Sequence, residues 1–189
     1  MIKNFSAITL LLLSTQLAGC FPAVVGGATA GGIMAADRRT SGIFVEDQGI
    51  ELKVSKRLLS YMDNAAHVNV TSYNRVVLLT GEVPSEAQRT EAENLSREIT
   101  NVREIHNALV VGAASSIGDR SNDAYTTTKV KTRFISENLF PANIVKVVTE
   151  ANTVYLMGIV SEKEANDAVE IARNTEGVSK VVKVFEYIK

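Results

Sequence analysis

The chain contains the segment Val76-Val77-Leu78-Leu79-Thr80-Gly81-Glu82-Val83 and repeats it, 77 residues later, as Thr153-Val154-Tyr155-Leu156-Met157-Gly158-Ile159-Val160. A second match, Val68-Asn69-Val70 with Val145-Lys146-Val147, has the same offset of 77. A third, Val102–Ile105 with Val178–Val181, has an offset of 76. A period this long, with two copies, predicts tandem domains rather than a solenoid.

Each copy predicts the same order of elements, a helix, two strands joined by a turn, a second helix and a last strand. In the first copy these are a helix (49–61), a strand (66–73), a turn (74–75), the glycine-containing strand (77–83), a helix capped by Ser85 and a strand (105–111). In the second copy they are a helix (123–139), a strand (144–150), a turn (151–152), the glycine-containing strand (154–160), a helix capped by Ser161 and a strand (181–187). We therefore predict an α+β fold of two tandem small αββαβ domains, each a three-stranded mixed sheet packed on two helices. Because units of roughly 65 residues have small cores, we expect the two to pack against each other.

The N-terminus predicts a secretory signal. A positive charge at Lys3 precedes an apolar run, Ile8–Leu13, and then Leu17-Ala18-Gly19-Cys20. The apolar run is shorter than the roughly 20 residues of a membrane span. Cys20 is the only cysteine, so no internal disulfide is available. The predicted division is a signal peptide (1–19), Cys20 with an Ala/Gly-rich tether (20–45), a first domain (46–112), a linker (113–122) and a second domain (123–189).

Leu17–Cys20 resembles the lipobox of bacterial lipoproteins. That resemblance implies cleavage before Cys20, a diacylglyceryl group on its sulfur and a third, palmitate-type acyl chain on its amine. The alternative is a free thiol behind an ordinary signal peptide. Phe21 stands where lipoproteins of the inner membrane typically carry aspartate, which implies a lipid-anchored protein of the outer membrane that faces the periplasm.

The repeated pattern resembles the BON domain: a Val-x-Val strand, a strand ending in glycine, an Ala-rich helix and a closing Gly-Val-x-x-Val. Gly158 and Gly177–Val181 fit this pattern in the second copy, whereas the first has Gly81 and then Asn101 in place of the second glycine. With the lipobox and the tether, the chain resembles the dual BON-domain lipoproteins of the outer membrane. The resemblance implies a non-enzymatic protein that is associated with anionic phospholipid and supports outer-membrane integrity.

The predicted helix 123–139 has the pattern of a lipid-binding helix. With Val130 facing the core, the opposite face carries apolar groups to insert and cations for phosphates. The predicted phospholipid-binding residues are Tyr125, Thr128, Lys129, Lys131, Thr132, Arg133, Ile135 and Leu139. The first copy lacks the aromatic, one lysine and one aliphatic, so we expect lipid contact in the second domain. The alternative is that Tyr125 and Ile135 pack against the first domain.

Other classes of function find little support. A net charge of −1, 6% aromatic residues and no tryptophan argue against nucleic acid as a partner. His67 and His106 have no second histidine or cysteine at ligand spacing, so we expect no metal and no cofactor. Neither a Gly-x-Ser-x-Gly turn nor a phosphate-binding glycine loop is present, so we expect no enzyme activity. The remaining alternative is an adaptor that binds outer-membrane assembly proteins in the periplasm.

Overall fold

The computed structural model describes residues 37–62 and 66–188, which lie in one compact unit, Ile33–Lys189. The elements are α1 (Ser41–Tyr61), β1 (His67–Tyr73), β2 (Val76–Val83), α2 (Glu86–Arg97), β3 (Glu104–Asn107), β4 (Val110–Val111), α3 (Ile117–Glu137), a 3₁₀ turn (Ala142–Ile144), β5 (Val145–Glu150), β6 (Thr153–Val160), α4 (Glu162–Arg173) and β7 (Lys180–Tyr187). The order αββαβ occurs twice, which confirms the predicted tandem α+β fold.

The glycine-containing strand lies at the centre of each sheet. β2 pairs antiparallel with β1 and parallel with β3 and β4, and β6 pairs antiparallel with β5 and parallel with β7. The two-residue turns have positive φ at both positions, 50° and 64° at Asn74 and Arg75 and 48° and 57° at Ala151 and Asn152. This backbone twist matches that of the flanking strands, so it closes a tight hairpin.

The repeated glycine is required by a close approach between neighbouring strands. Gly81 has φ +111°, and a Cβ there would lie 2.0 Å from the carbonyl oxygen of His67. A Cβ at Gly158 would lie 2.6 Å from the carbonyl oxygen of Ile144. No larger residue fits either position without a shift of the backbone, which explains why both copies keep glycine here.

Two helices begin earlier than predicted. α1 begins at Ser41, where the Thr40 hydroxyl accepts a hydrogen bond from the Ile43 amide (3.2 Å), rather than at Gly49. α3 begins at Ile117 rather than at 123, because Ser116 forms a reciprocal capping box there. Residues 41–45, expected in the tether, and 117–122, expected in the linker, are therefore helical.

The last strand of the first domain is broken in two, whereas the sequence predicts one strand over 105–111. The Asn107 side-chain oxygen accepts a hydrogen bond from the Leu109 amide (3.2 Å), and this local turn competes with the ladder. The side chain of Leu109 is consequently buried in the core of the first domain. Its counterpart β7 is continuous over eight residues.

The two sheets pack face to face through the surfaces that do not carry their own helices. On β2, Val77 and Leu79 face the helices of the first domain. The alternate residues Val76 and Leu78 form a separate cluster with β6 of the second domain. Since each central strand is buried on both faces, it has the continuous apolar run that distinguishes such strands.

Polar contacts also join the domains, and the segment before α1 takes part in them. Arg38 makes a bidentate ion pair with Glu164 of α4, with N–O distances of 2.7 and 2.8 Å. This hydrogen bonding holds the pKa of Glu164 at about 2. Lys146 donates to Glu51 across the same boundary at 2.6 Å. The predicted packing of the two domains is thus both apolar and ionic.

Candidate phospholipid-binding surface

The inner face of α3 fixes the orientation of the helix. Asp123, Thr126, Val130 and Phe134, spaced three or four residues apart, are buried against the sheet of the second domain. Phe134 packs edge-on against Phe140, with ring centroids 5.0 Å apart. Because one stripe of the helix is held in this way, the opposite stripe faces solvent.

The apolar residues predicted for the lipid-facing stripe are exposed. Tyr125 is 61% exposed, Ile135 68% and Leu139 52%. Thr128 and Thr132 are exposed between them. The alternative that Tyr125 and Ile135 pack against the first domain is therefore wrong.

The three predicted cations differ in their surroundings. Lys131 is exposed and forms no ion pair with any residue in the described ranges. The ammonium of Lys129 lies 4.9 Å from the centroid of the Tyr125 ring and 3.9 Å from a carboxylate oxygen of Glu176. Lys129 thus lies beside the exposed aromatic ring, and Lys131 is exposed one half-turn further along the helix.

Arg133, in contrast, is held within the fold. Its guanidinium donates to Glu137 on its own helix (2.6 Å), to the carbonyl oxygen of Ile171 in the last turn of α4 (3.1 Å) and to that of Asn174 directly after α4 (2.6 Å). These bonds cap the C-terminal end of α4, where carbonyls lack helical partners. We therefore correct the prediction for Arg133: it shapes the surface and is not free to bind a phosphate.

A shallow groove of about 410 Å³ runs between α3 and the loop after α4. Tyr125, Lys129 and Thr132 form one wall, and 174–176 form the other. Gly177, with φ +92°, lets this loop approach the helix, since a Cβ there would lie 3.0 Å from the Thr126 hydroxyl. The loop lies far from α3 in sequence, so the helical pattern did not reveal it.

In each domain a buried aspartate joins the opening helix to the hairpin. Neither aspartate was identified from the sequence. In the first domain Asp47 accepts hydrogen bonds from the amides of Asn74 and Arg75, both at 2.8 Å. In the second, Asp123 accepts from Ala151 and Asn152, both at 2.9 Å. The available signal was an aspartate near the start of each opening helix, at positions 76 residues apart in the two copies.

The opening helix of the first domain also exposes aliphatic side chains. Val45 is 67% exposed, Leu52 71% and Leu59 83%, and their spacing of seven residues places them along one face. This face lacks a counterpart of Tyr125, since Gly49 stands at the matching position. It provides a natural comparison surface for α3.

The two histidines occupy different environments. His106 lies on β3, next to a cleft at the domain boundary. His67 lies at the start of β1, and its Nδ1 is 3.1 Å from a carboxylate oxygen of Glu82. A second histidine or cysteine at ligand spacing is not needed for such a neighbour, because Glu82 comes from the adjacent strand.

Cys20 and the predicted signal peptide lie outside the described residues. Within 37–62 and 66–188, none of the helices combines the length and apolar character needed to cross a membrane.

Comparison with known proteins shows the family. The model of the BON domain matches residues 46–113 and 122–189. Outer membrane lipoprotein DolP of Haemophilus influenzae is 36% identical over 174 residues, 91% of this chain and 90% of that protein. The 21 kDa hemolysin of Actinobacillus pleuropneumoniae is 36% identical over 81% of this chain and 80% of its own length. Osmotically-inducible protein Y of Escherichia coli is 31% identical over 74% of this chain and 72% of its own length.

These similarities agree with the repeated architecture. They also agree with the backbone conformation of Asn101, which stands where the BON pattern has its second glycine. Asn101, where the second copy has Gly177, also has a positive φ of 72°. Asparagine tolerates this left-handed conformation better than most residues, so the substitution keeps the turn. With two matched domains in tandem, the chain belongs to the BON domain family and is a dual-domain protein of the DolP type.

Proposed function

We propose that this chain is a non-enzymatic lipoprotein of the outer membrane, anchored through Cys20 and facing the periplasm, that binds anionic phospholipid through α3 and so supports outer-membrane integrity. The observation that carries the proposal is the exposed stripe of Tyr125, Ile135 and Leu139, with Lys129 and Lys131 beside it. The match to a protein named outer membrane lipoprotein DolP supports the location.

The expected affinity of this surface is low. Partial burial of Tyr125 and Ile135 in the headgroup region contributes on the order of 2–3 kcal/mol. Each lysine near an anionic surface adds about 1 kcal/mol. The sum corresponds to a dissociation constant of roughly 0.1–1 mM. Such a contact is sufficient for a tethered domain, because the anchor keeps its local concentration high.

Replacing Lys131 and Ile135 together with glutamate is expected to weaken binding to anionic vesicles by roughly tenfold or more. The double change reverses one charge and removes one inserting side chain, and both positions are exposed, so the fold should persist. Sedimentation of residues 33–189 with phosphatidylglycerol-containing vesicles measures the effect, and circular dichroism checks the fold.

The matched control is Lys56→Glu with Leu59→Glu on α1, which changes an exposed lysine and an exposed aliphatic residue one turn apart. We expect this variant to bind the vesicles as the unmodified chain does. Equal losses in the two variants would show that binding depends on overall charge rather than on α3.

A second candidate function is docking of an outer-membrane assembly protein, and the stripe of Val45, Leu52 and Leu59 favours it. A photo-reactive amino acid at Leu52 or at Ile135, incorporated in cells, separates the two functions. A single protein adduct at position 52 would support an adaptor role for α1, whereas a protein adduct at position 135 would argue against lipid contact through α3.

A further inference from the structure

A cluster of possible metal ligands lies where the two domains meet, on the side away from the Arg38–Glu164 ion pair. His67, Glu82 and Glu150 each offer one ligand atom, and these three atoms lie within 4.8 Å of one another. His67 and Glu82 come from β1 and β2 of the first domain, and Glu150 ends β5 of the second. Glu150 is only 7% exposed, and the side chains of His67 and Glu82 are 15% and 13% exposed.

The negative charge of the two carboxylates in this cluster is not balanced by the groups around them. Glu150 accepts a hydrogen bond from the Asn69 amide (2.8 Å), and Glu82 accepts one from the backbone amide of Ser115 (3.1 Å). Both donors are neutral. Arg120 lies beside the same cavity, but its hydrogen bond goes to the Ser116 carbonyl at 3.5 Å, and no ion pair joins it to either glutamate within the described residues. Two carboxylates this close and this buried favour a bound cation.

The internal repeat shows that the fold itself does not require this cluster. At the 77-residue offset, His67, Glu82 and Glu150 correspond to Ile144, Ile159 and Tyr73. Tyr73 reaches across the domain boundary and donates its hydroxyl to the Ile144 carbonyl (3.2 Å), as Glu150 reaches toward His67. The cluster of His67, Glu82 and Glu150 and the equivalent site around Ile144, Ile159 and Tyr73 are thus related by an approximate two-fold axis.

The equivalent site around Tyr73 also contains its own cations, which are two arginines. The Arg39 guanidinium lies 4.0 Å from the centroid of the Tyr73 ring, and Arg38 donates to the Ile159 carbonyl at 2.9 Å. The opening helices match at an offset of 76, so the positions equivalent to Arg38 and Arg39 are Ala114 and Ser115, which are neutral. The site around Tyr73 therefore combines apolar residues with fixed arginines. The cluster of His67, Glu82 and Glu150 combines two carboxylates and an imidazole, with no fixed arginine or lysine among the residues that the structure describes.

We propose that His67, Glu82 and Glu150 bind one divalent transition-metal ion of the zinc type, which joins the first domain to the second. Imidazole with carboxylate oxygens is a donor set that suits zinc, whereas magnesium and calcium prefer oxygen ligands alone. Ligands of a tetrahedral zinc ion lie about 3.3 Å apart, and the His67 and Glu82 atoms are 3.1 Å apart. The side-chain amide of Asn69 donates to Glu150 at 2.8 Å and so holds this carboxylate in place beside His67.

Titration of the untagged full-length chain in detergent with zinc chloride, after treatment with a chelator, tests this proposal. Every variant carries Cys20→Ala, so that the thiol does not contribute. We expect one zinc ion per chain with micromolar or tighter affinity, and a higher melting temperature with zinc than without. His67→Gln and Glu150→Gln should each weaken binding at least tenfold. Cobalt should give the visible absorption bands of a tetrahedral site, which His67→Gln abolishes.

The matched control is His106→Gln, which removes the other histidine and should leave the zinc affinity unchanged. Magnesium chloride should produce no saturable binding. The proposal is overturned if the chain with Cys20→Ala alone binds no zinc at micromolar concentrations, or if both cluster variants, folded by circular dichroism, bind zinc as tightly as the His106 variant.

Discussion

Replacing Asp47 with alanine is expected to lower the free energy of unfolding by about 3–5 kcal/mol, because it leaves several buried donors without their acceptor. Asp47 is fully buried and accepts hydrogen bonds from Arg39 (2.9 Å), the Ser72 hydroxyl (2.7 Å), and the amides of Asn74 and Arg75 (both 2.8 Å). Since small proteins are stable by only about 5–15 kcal/mol, this loss is large. Urea unfolding of residues 33–189 measures it.

Asp123→Ala provides the matched comparison in the second domain. Asp123 is 5% exposed and accepts from the two turn amides, Ala151 and Asn152, with no arginine among its described partners. We expect a cost of about 1–3 kcal/mol, because two backbone donors but no buried charge lose their acceptor. A loss for Asp123→Ala as large as that for Asp47→Ala would show that the ion pair between Arg39 and Asp47 does not account for the larger expected cost.

Replacing Cys20 with serine is expected to abolish acylation completely. A serine hydroxyl cannot replace the sulfur that carries the diacylglyceryl group in lipoproteins. Without that group, we expect the precursor to keep residues 1–19. Intact-mass measurement of the chain purified from membranes checks both points, since the unmodified protein should begin at residue 20 and carry three acyl chains.

The anchor should also resist washing. Each buried methylene contributes about 0.8 kcal/mol, so three acyl chains make attachment effectively permanent. We expect high salt and carbonate to leave the protein in the membrane fraction, since neither removes acyl chains from the bilayer. A free thiol on the unmodified mature chain would contradict the lipidation proposed for Cys20.

The fold was predictable because its signals repeat. The glycine-containing strand, the two-residue turns and the serine caps of α2 and α4 occur in both copies, so each supports the other. The starts of α1 and α3 were not predictable from apolar periodicity, because both helices begin before their buried stripes, and α1 passes through Gly49. Thr40 and Ser116, the residues that cap α1 and α3, were the local signals that mark the true starts.

Only those features of the candidate surface that follow from helical periodicity could be predicted from the sequence. The period of 3.6 residues identified the exposed face of α3, including Tyr125 and Ile135. It did not reveal that Arg133 is held by the end of α4, because those carbonyls lie about 40 residues away in sequence. The proximity of His67 to Glu150 was equally hidden, since it arises only when the two domains pack.

The absence of tryptophan from the natural chain allows a direct test of lipid contact. Tyr125→Trp places a single fluorophore on the exposed face of α3, and Leu59→Trp places one on the comparison face of α1. Both variants are purified as the mature chain from membranes and reconstituted in phosphatidylglycerol vesicles whose acyl chains carry bromine, which quenches tryptophan on contact.

Quenching at positions 125 and 59 shows which of the two helix faces enters the bilayer. Insertion of α3 predicts strong quenching and a blue-shifted emission at position 125, lost when Lys131 and Ile135 are also changed to glutamate, with little quenching at position 59. Absence of quenching at position 125, or equal quenching at both positions, would contradict binding of anionic phospholipid through α3.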